Sequence, residues 1–332
     1  MKRKYMLLMI AVLSLGSARM ASAQSTNIKK VAQTGLQFLK VDMSARAAGM
    51  ASSYSMIGQD ANAVFYNPAG LAYMQSTYDV AISRTNWIAD INYNAAALAG
   101  NFGNLGSFGI SYIAADYGEL VGTDIAPTTE GYVKTGSVDI GASAIGIAYA
   151  RRLNDKFTVG GQVKWAQQHL GASTLTAGES TNNTVSGFAV DFGTVFYPGY
   201  IPSLRLGMNV RNFSQQFVYQ EEEFDLPLNF RIGVAVDVMD FFGGSKTNSL
   251  MFSMDALHPR DYTERIHVGA EYWYMNMLAL RVGYKTNYDT EGLSLGFGVH
   301  YKIAGMRLKF DYAYSAMDIF NGINRVTIGG AF

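Results

Sequence analysis

The residues of this chain that could perform acid–base or metal chemistry are few and scattered. There is no cysteine, which excludes disulfides, thiol catalysis and a lipid anchor on cysteine. Four histidines are present, and their wide spacing does not predict a metal site: His169, His258, His267 and His300. Neither an HExxH motif nor a nucleotide-binding loop is present. The residue types therefore predict a non-enzymatic protein without catalytic residues, cofactor or metal.

One titratable pair could be read as an acid and a base. His267 and Glu271 lie four residues apart, so a strand would place both side chains on the same face. They could act in proton transfer, or they could belong to a network of polar side chains in a closed interior. The network is favoured, because ionisable groups inside membrane proteins usually pair with one another.

The charge composition excludes one class of partner and indicates an environment. The 26 basic residues balance the 26 acidic residues, which excludes the basic surface that a nucleic-acid partner requires. Only 16% of the 332 residues are charged, whereas soluble domains carry roughly 25%. This depletion is typical of a chain that places much of its surface in lipid.

The N-terminus reads as a secretory signal peptide over residues 1–23. A basic start of Lys2, Arg3 and Lys4 precedes a short apolar run, and Ala21-Ser22-Ala23 is a small-x-small cleavage site. The alternative, a membrane anchor, is disfavoured because a spanning helix needs about 20 apolar residues. The mature chain is expected to start at Gln24, and because no apolar run of spanning length follows, any membrane embedding must be by strands.

The elements that must position the remaining polar residues are strands. From Tyr78 onward apolar residues alternate with polar residues or glycine, which is the period of a β-strand. Fourteen strands are predicted, near residues 77–86, 90–101, 105–116, 138–151, 156–169, 185–198, 203–213, 226–238, 248–257, 263–275, 277–287, 291–302, 304–315 and 322–332. A bulge is expected in the fourth strand, where the apolar face switches near Ile140 to Ile145.

This pattern predicts an all-β fold, a transmembrane antiparallel barrel of about 14 strands over residues 76–332. The alternative is a soluble β-sandwich. Three observations favour the membrane: the apolar rows end in aromatic residues, the opposite rows mix charges with glycine, and the last strand ends in Phe332. That terminal aromatic resembles the assembly signal of bacterial outer-membrane barrels. Long outer connections are predicted at 116–137, 170–184 and 213–226.

Residues 24–75 are predicted to be an N-terminal plug, because a barrel of this size is too wide for its own side chains to fill. Ser44 to Gly49 could form a short helix, Asp60 could cap the following turn, and Pro68 with Gly70 would fix a bend. The alternative is a periplasmic linker. Arg46 is expected to pair with an inward carboxylate, Asp191, Asp237, Asp255 or Glu271. The wider network of charges in the lumen is predicted to comprise Asp191, Arg205, Arg211, Arg231, Asp237, Asp255, Glu271 and Arg281.

The stretch FLKVDMSARAAGM…DANAVFYNPAGLA resembles the N-terminal signature of the PorV/PorQ family of outer-membrane proteins, which is related to FadL-type fatty-acid transporters. The segments YARRL, TVGGQVK, FAVDFGTVF, LRLGMNVRN, VGAEYW, LALRVGYK and LSLGFGV follow in the order of that family. The positions that carry the signature are Ala45, Arg46, Gly49, Met50, Asp60, Ala61, Asn67, Pro68, Ala69, Gly70 and Leu71. The chain departs from it at Ala51-Ser52, where glycines are usual. The resemblance implies a FadL-like barrel with an N-terminal hatch.

Two functions remain open. The resemblance implies a component of type IX protein secretion or surface attachment, whose outer loops meet protein partners. Its alternative is a FadL-like channel for hydrophobic small molecules. Tyr117, Leu120, Phe217 and Tyr219 are expected to be exposed in the outer loops, beside an acidic run at residues 221–223 that is either a solvated tip or a docking surface.

Overall fold

Fourteen antiparallel strands close into a barrel in the computed structural model, which describes residues 33–176, 179–245 and 247–332. The predicted signal peptide lies outside the described residues. Each barrel strand pairs with its neighbours along the chain, and the last strand closes onto the first from Asp79↔Ala331 to Asn86↔Asn324. The backbone of Phe332 completes this seam, because its N–H donates to the carbonyl of Tyr78 at 2.9 Å. The predicted fold class is confirmed.

The strands follow the predicted order closely. The barrel consists of β1 (Tyr78–Asn86), β2 (Asn92–Asn101), β3 (Ser107–Asp116), β6 (Gly141–Arg152), β7 (Phe157–Thr176), β8 (Glu179–Phe196), β9 (Arg205–Phe213), β12 (Asn229–Asp237), β13 (Ser249–Pro259), β14 (Arg265–Tyr274), β15 (Leu278–Lys285), β16 (Glu291–Ile303), β17 (Met306–Met317) and β18 (Ile323–Ala331). Two hairpins stand outside it, β4 (Leu120–Ile125) with β5 (Tyr132–Val138), and β10 (Phe217–Tyr219) with β11 (Glu222–Phe224). We call the end with these hairpins the outer rim and the end with Phe332 the periplasmic rim.

Apolar side chains cover the outside of the barrel, as the alternation predicted. Ile232 is 56% exposed and Leu280 is 66% exposed, whereas their neighbours Arg231 and Arg281 point inward and are buried. Successive side chains of a strand point to opposite faces, so one face meets lipid and the other meets the lumen. The predicted assignment of outward and inward side chains is therefore correct in these strands.

Two predictions about the strands are wrong. The chain at 170–184 is not a long loop, because β7 runs to Thr176 and β8 begins at Glu179, paired as far as Thr176↔Glu179. The 20 residues of β7 span about 66 Å, more than a bilayer needs, so its outer part stands in water and lacks the alternation that marks a lipid-facing strand. The expected bulge in the fourth strand is also absent, since β6 pairs with β3 in unbroken register from Gly141↔Asp116 to Ala150↔Ser107.

Residues 33–76, which we call the luminal segment, run through the barrel from rim to rim. At the outer rim the N–H of Gly35 donates to the carbonyl of Asp225 at 3.0 Å, and at the periplasmic rim the N–H of Thr77 donates to Phe332 at 2.8 Å. Every residue from 42 to 74 is buried except Arg46 and Gln59, which are half-buried. The segment contains the short helix α1 (Ala45–Ala48) and three 3-10 helices, Gln37–Lys40, Ala61–Phe65 and Pro68–Tyr73.

The other helical turns lie in connections between strands, at Ile88–Asp90, Gly103–Leu105 and Val238–Phe242. Among the described residues no helix has the length and apolar character to cross a membrane.

Replacing Ile232 with Arg tests the lipid-facing assignment. Ile232 is near the middle of β12, where an arginine on the lipid face costs about 2–4 kcal/mol, so we expect less folded barrel. Ile232→Ala is the matched control, since it removes the same packing without adding charge. The measurement is the fraction of folded protein on unboiled gels after refolding into lipid vesicles. Equal yields for the two variants would contradict the assignment.

Candidate functional site: the luminal segment and the barrel wall

Arg46 joins the luminal segment to the wall through a buried ion pair. Its Nε donates to Glu271 Oε2 at 2.8 Å and its terminal Nη2 donates to Glu271 Oε1 at 2.7 Å, a two-point contact. Arg281 Nε donates to the same carboxylate at 2.7 Å, and Arg281 Nη1 lies 2.7 Å from Asp311 Oδ1. Such charge-assisted, bidentate contacts are stronger and more directional than neutral hydrogen bonds. The short helix aims Arg46 at Glu271, one of the four carboxylates expected for it.

Two further carboxylates of the luminal segment bind lysines of the wall. Asp60 lies 3.6 Å from Lys309, and Asp42 lies 3.3 Å from Lys285. Burial opposes ionisation of both carboxyls, but the nearby cations together outweigh it and hold the pKa of each below its usual range. These cations are chiefly Lys285 and Arg325 for Asp42, and Lys309 and Arg46 for Asp60. Both groups therefore stay ionised, and the segment is bound to several strands at once.

Glycines of the wall allow the luminal segment to approach the strands closely. A side-chain carbon on Gly283 would lie 2.3 Å from the carbonyl carbon of Met50, and one on Gly160 would lie 2.4 Å from the nitrogen of Ala69. Any larger residue at either position would collide with backbone of the segment. The glycines on the inward rows of the sequence therefore mark the track of this segment across the wall.

The signature residues shape the turns of the segment. The Asn67 side chain accepts a hydrogen bond from the N–H of Ala69 at 3.1 Å and donates to the carbonyl of Thr194 at 3.2 Å. Pro68 opens the last 3-10 helix, where the missing N–H costs nothing. A side-chain carbon on Gly70 would lie 2.0 Å from the carbonyl oxygen of Gly58. The NPAG stretch thus caps a helix and joins it to the wall.

Two other signature positions, Asp60 and Gly49, begin and end short helices of the segment. Asp60 accepts from the N–H of Asn62 at 3.0 Å and caps the 3-10 helix that follows, as expected. Gly49 ends α1, and its Cα faces Gly296 of the wall. Ala51 and Ser52 have φ values of +52° and +61°, the left-handed conformation that favours glycine. The family's glycines fit this turn, and the chain makes it without them.

The structure brings together most of the charges predicted in the lumen. Asp191 binds Lys164 at 2.8 Å, and Arg231 lies 3.5 Å from Asp255. Two predicted arginines contact backbone carbonyls of the luminal segment. Arg211 donates to Leu39 at 3.2 Å, and Arg205 donates to Met56 at 3.1 Å.

Asp237 is a correction to the predicted network. It is the last residue of β12, at the periplasmic rim, and its side chain accepts the N–H of Met239 at 2.9 Å and of Leu250 at 3.1 Å. It caps a turn and takes part in none of the ion pairs of the described residues. Sequence reasoning also missed wall residues that bind charges: Lys164, Lys285, Lys309 and Asp311. The last three lie on inward rows of alternating strands, so the signal that would have found them was present.

His267 and Glu271 do not form an acid–base pair. His267 Nε2 lies 2.9 Å from the hydroxyl of Tyr288, whereas Glu271 is held by Arg46 and Arg281. In the described part of the chain no three His, Cys, Asp or Glu side chains are placed to hold a metal ion.

Polar cavities lie on either side of the luminal segment. The outer vestibule has a volume of about 330 Å³ and is lined largely by polar side chains, among them Lys40, Asp42, Arg231, Arg265, His267, Lys285 and Glu291. The periplasmic vestibule has a volume of about 760 Å³, with Arg46, Asp60, Arg205, Glu271, Lys302, Arg307 and Lys309 in its lining. Neither cavity presents the mostly apolar wall that encloses a hydrophobic ligand.

The outer hairpins expose apolar side chains to solvent, but three of the four residues expected to be exposed are not. The β4–β5 hairpin is almost wholly exposed, and Ile125 at its tip is 93% exposed. Leu120 is exposed as expected, whereas Tyr117 and Tyr219 are half-buried. Phe217 is buried at 6% exposure, because its ring packs on Phe224 at 6.1 Å between centroids.

Replacing Arg46 with Met tests the ion pair between segment and wall. The change leaves Glu271 with Arg281 alone, and removing one partner of a buried pair costs about 3 kcal/mol or more. We expect the urea midpoint of unfolding in lipid vesicles to fall. Without Arg46, the single cation Arg281 faces both Glu271 and Asp311. Adding Glu271→Gln removes this excess negative charge and is expected to restore part of the loss. A midpoint for Arg46→Met equal to that of the unchanged protein would contradict the pairing.

Comparisons with known proteins agree with this architecture. A family model described as type IX secretion system protein PorV matches residues 23–248. The structure is similar to the CymD monoaromatic hydrocarbon channel, with a TM-score of 0.56 and 14% identity over 88% of this chain and 98% of that chain. It is also similar to the toluene transporter TodX of Pseudomonas putida, with a TM-score of 0.52 and 11% identity over 81% of this chain and 92% of that chain.

A FadL homologue of Pseudomonas aeruginosa has a TM-score of 0.52 and 12% identity over 87% of this chain and 98% of that chain. No match was found among curated proteins. At these identities the solved structures establish the fold alone, while the family model covers more than half of the sequence. The resemblance noted in the sequence is confirmed, and the chain belongs to the PorV family of outer-membrane β-barrels, with the fold of FadL-type channels.

Proposed function

We propose that this protein is a non-enzymatic component of a type IX protein secretion or surface-attachment system, and that it presents its outer hairpins to a protein partner. In this proposal residues 24–75 are a hatch that stays closed while the barrel works as a platform in outer-membrane lipid. The family model supports the setting, since it is described by type IX secretion.

The observation that carries the proposal is the way the lumen is closed. The luminal segment is bound to the wall by Arg46, Asp42 and Asp60, and the vestibules above and below it are lined largely by charged and polar side chains. A channel for hydrophobic molecules needs an apolar pocket and a segment that moves aside. Burying an apolar molecule against these charges would remove them from water without replacing their partners, which is costly.

The outer rim offers a surface suited to a protein partner. The β4–β5 hairpin exposes Leu120, Val121 and Ile125, and the turn and start of β11 carry an exposed acidic run at residues 221–223. Apolar anchors surrounded by polar groups are typical of protein–protein interfaces. A two-stranded hairpin that stands free of the barrel is marginally stable by itself, so a partner that covers it would also stabilise it.

The alternative function is a FadL-like channel for hydrophobic small molecules. The solved structures named as a monoaromatic hydrocarbon channel and a toluene transporter share this fold. A covalent lock on the hatch separates the two functions, because transport requires the hatch to move and hairpin presentation does not.

Replacing Ser53 and Ser253 with Cys would create this lock. The two hydroxyl oxygens lie 2.9 Å apart, one on the hatch and one on β13, and the chain has no other cysteine. We expect the disulfide-bonded protein to support surface attachment of secreted proteins as well as either single-cysteine variant does. Attachment is measured by surface labelling, and uptake of a long-chain hydrophobic compound is measured in the same cells. Loss of uptake or of attachment on locking, reversed by a reductant, would favour a moving hatch.

Replacing Ile125 with Ser tests the hairpin. The side chain at the tip makes its contribution only if a partner covers it, so we expect weaker capture of partner proteins by a photo-crosslinker at Leu120, and unchanged barrel stability. Leu105→Ser is the matched control, because Leu105 is an exposed apolar residue at the opposite, periplasmic rim. Equal capture with both variants would contradict a role for the hairpin.

A further inference from the structure

The outer vestibule contains a buried guanidinium that has no anion. Arg265, the first residue of β14, is 7% exposed and lines the cavity. Among the described residues no carboxylate oxygen lies within 4.0 Å of its nitrogens, and its Nε donates no hydrogen bond. A buried charge without an anion is costly, so an anion that arrives from elsewhere would be stabilised here.

The other cations of the vestibule are already paired. Lys40 binds Asp261 at 2.7 Å, Arg231 lies 3.5 Å from Asp255, and Lys285 binds both Asp42 and Glu291. Each is matched by carboxylates of the protein itself. Arg265 differs from them, because its neighbours are rings. It is placed 4.0 Å from the ring centre of Tyr262 and 3.7 Å from that of Tyr288.

These rings decide how a ligand can reach the guanidinium. They hold it by cation–π contacts, so an incoming anion must approach the edge, where the N–H groups are. Two donors side by side in one plane match the two oxygens of a carboxylate. Four further buried atoms of the lining have no hydrogen-bond partner: Ser52 Oγ, Arg231 Nε, His267 Nδ1 and Asn229 Oδ1. Of these, the amide oxygen of Asn229 can accept an amide N–H.

The surroundings favour one kind of anion. Asp42, Asp289 and Glu291 line the same cavity, so a doubly charged phosphate would meet more repulsion than a singly charged carboxylate. The volume of about 330 Å³ is at the small end for ligand pockets, which disfavours a long aliphatic chain. An amide beside a carboxylate is the chemistry of a peptide terminus or an acidic residue.

We infer that Arg265 is a binding site for a carboxylate of a protein segment that enters the outer vestibule from outside the cell. The inference rests on the proposed function, since it gives one chemical contact to the partner of the outer rim. Arg265 donates two hydrogen bonds to the carboxylate, Tyr262 and Tyr288 hold the guanidinium in place, and Asn229 accepts the neighbouring amide N–H.

The experiment titrates the purified, detergent-folded full-length protein with small probes and follows tryptophan fluorescence, to which Trp87 in the cavity lining contributes. N-acetylglycine carries both a carboxylate and an amide, and N-acetylglycinamide is its uncharged match. We expect saturable binding of N-acetylglycine and none of the amide. Arg265→Gln should weaken binding about tenfold or more, since hydrogen bonds to charged groups contribute roughly 1.5–3 kcal/mol.

Matched variants and probes keep the outcome decisive. Arg260→Gln removes an exposed arginine from the same outer turn, where it binds Asp225 at 2.7 Å, and should bind the probe as the unchanged protein does. Arg265→Lys keeps the charge without the planar fork and should bind more weakly than arginine. The gel shift of unboiled samples reports whether each variant is folded.

Several results would overturn the inference. They are equal binding by Arg265→Gln and Arg260→Gln, tighter binding of phosphate than of N-acetylglycine, tighter binding of hexanoate than of acetate, and no binding of any carboxylate. Each concerns the purified barrel, so failure here leaves the partner capture by the β4–β5 hairpin as a separate test of the proposed function.

Discussion

A barrel of fourteen strands encloses more space than its own side chains can fill, and the rest of this structure follows from that constraint. The space is filled by a segment of the same chain, which must satisfy its backbone polar groups without water on most sides. The short 3-10 helices, the Asp60 and Asn67 caps and the contact between Asn67 and Thr194 meet this requirement. The wall has glycine where the segment passes closest to it, at positions such as Gly160 and Gly283.

Buried ion pairs fix the position of the luminal segment relative to the strands of the wall. Buried ion pairs add little net stability compared with well-packed apolar residues, but breaking one is costly, so they disfavour every placement except the one that matches all partners. Arg46 must meet Glu271 while Asp60 meets Lys309 and Asp42 meets Lys285, and these wall residues belong to three different strands, β14, β15 and β17. A slip of the segment would unpair several charges together. We regard positional specificity as the role of these pairs.

The sequence was informative where one physical rule acted without competition. Strands in contact with lipid must alternate, so all fourteen barrel strands could be predicted, together with the outward faces of strands such as β12 and β15 and a partner for Arg46. Prediction failed where that rule no longer applied. The outer part of β7 stands in water, so its polar residues resembled a loop, although their backbone pairs continue to Thr176. Asp237 occupies an inward position of its strand but lies at the rim, where an open turn needs a cap.

The prediction that Phe217 is exposed failed for a related reason. A residue in an outer loop was expected to be exposed, but this hairpin folds back over the lumen, and a side-chain carbon on Gly187 would lie 2.4 Å from the Phe217 ring. Distances between elements remote in sequence decide such burial, and no local pattern encodes them. The anion-free Arg265 is similar, because its neighbours Tyr262 and Tyr288 come from two different turns, which lie side by side where β14 pairs with β15.

The turn that follows the β10–β11 hairpin is joined to the luminal segment, which bears on how a partner could bind at the outer rim. The N–H of Gly35 donates to Asp225 at 3.0 Å, and Thr34 donates to Asp261 at 3.0 Å, so the start of the segment is fixed to two outer turns. Arg260 binds Asp225 at 2.7 Å and joins those turns to each other. A surface whose support is already ordered loses less conformational entropy when it is covered. For a protein that works by presentation, a segment fixed at both rims is therefore an advantage, whereas for a channel it would be an obstacle to be released in every cycle.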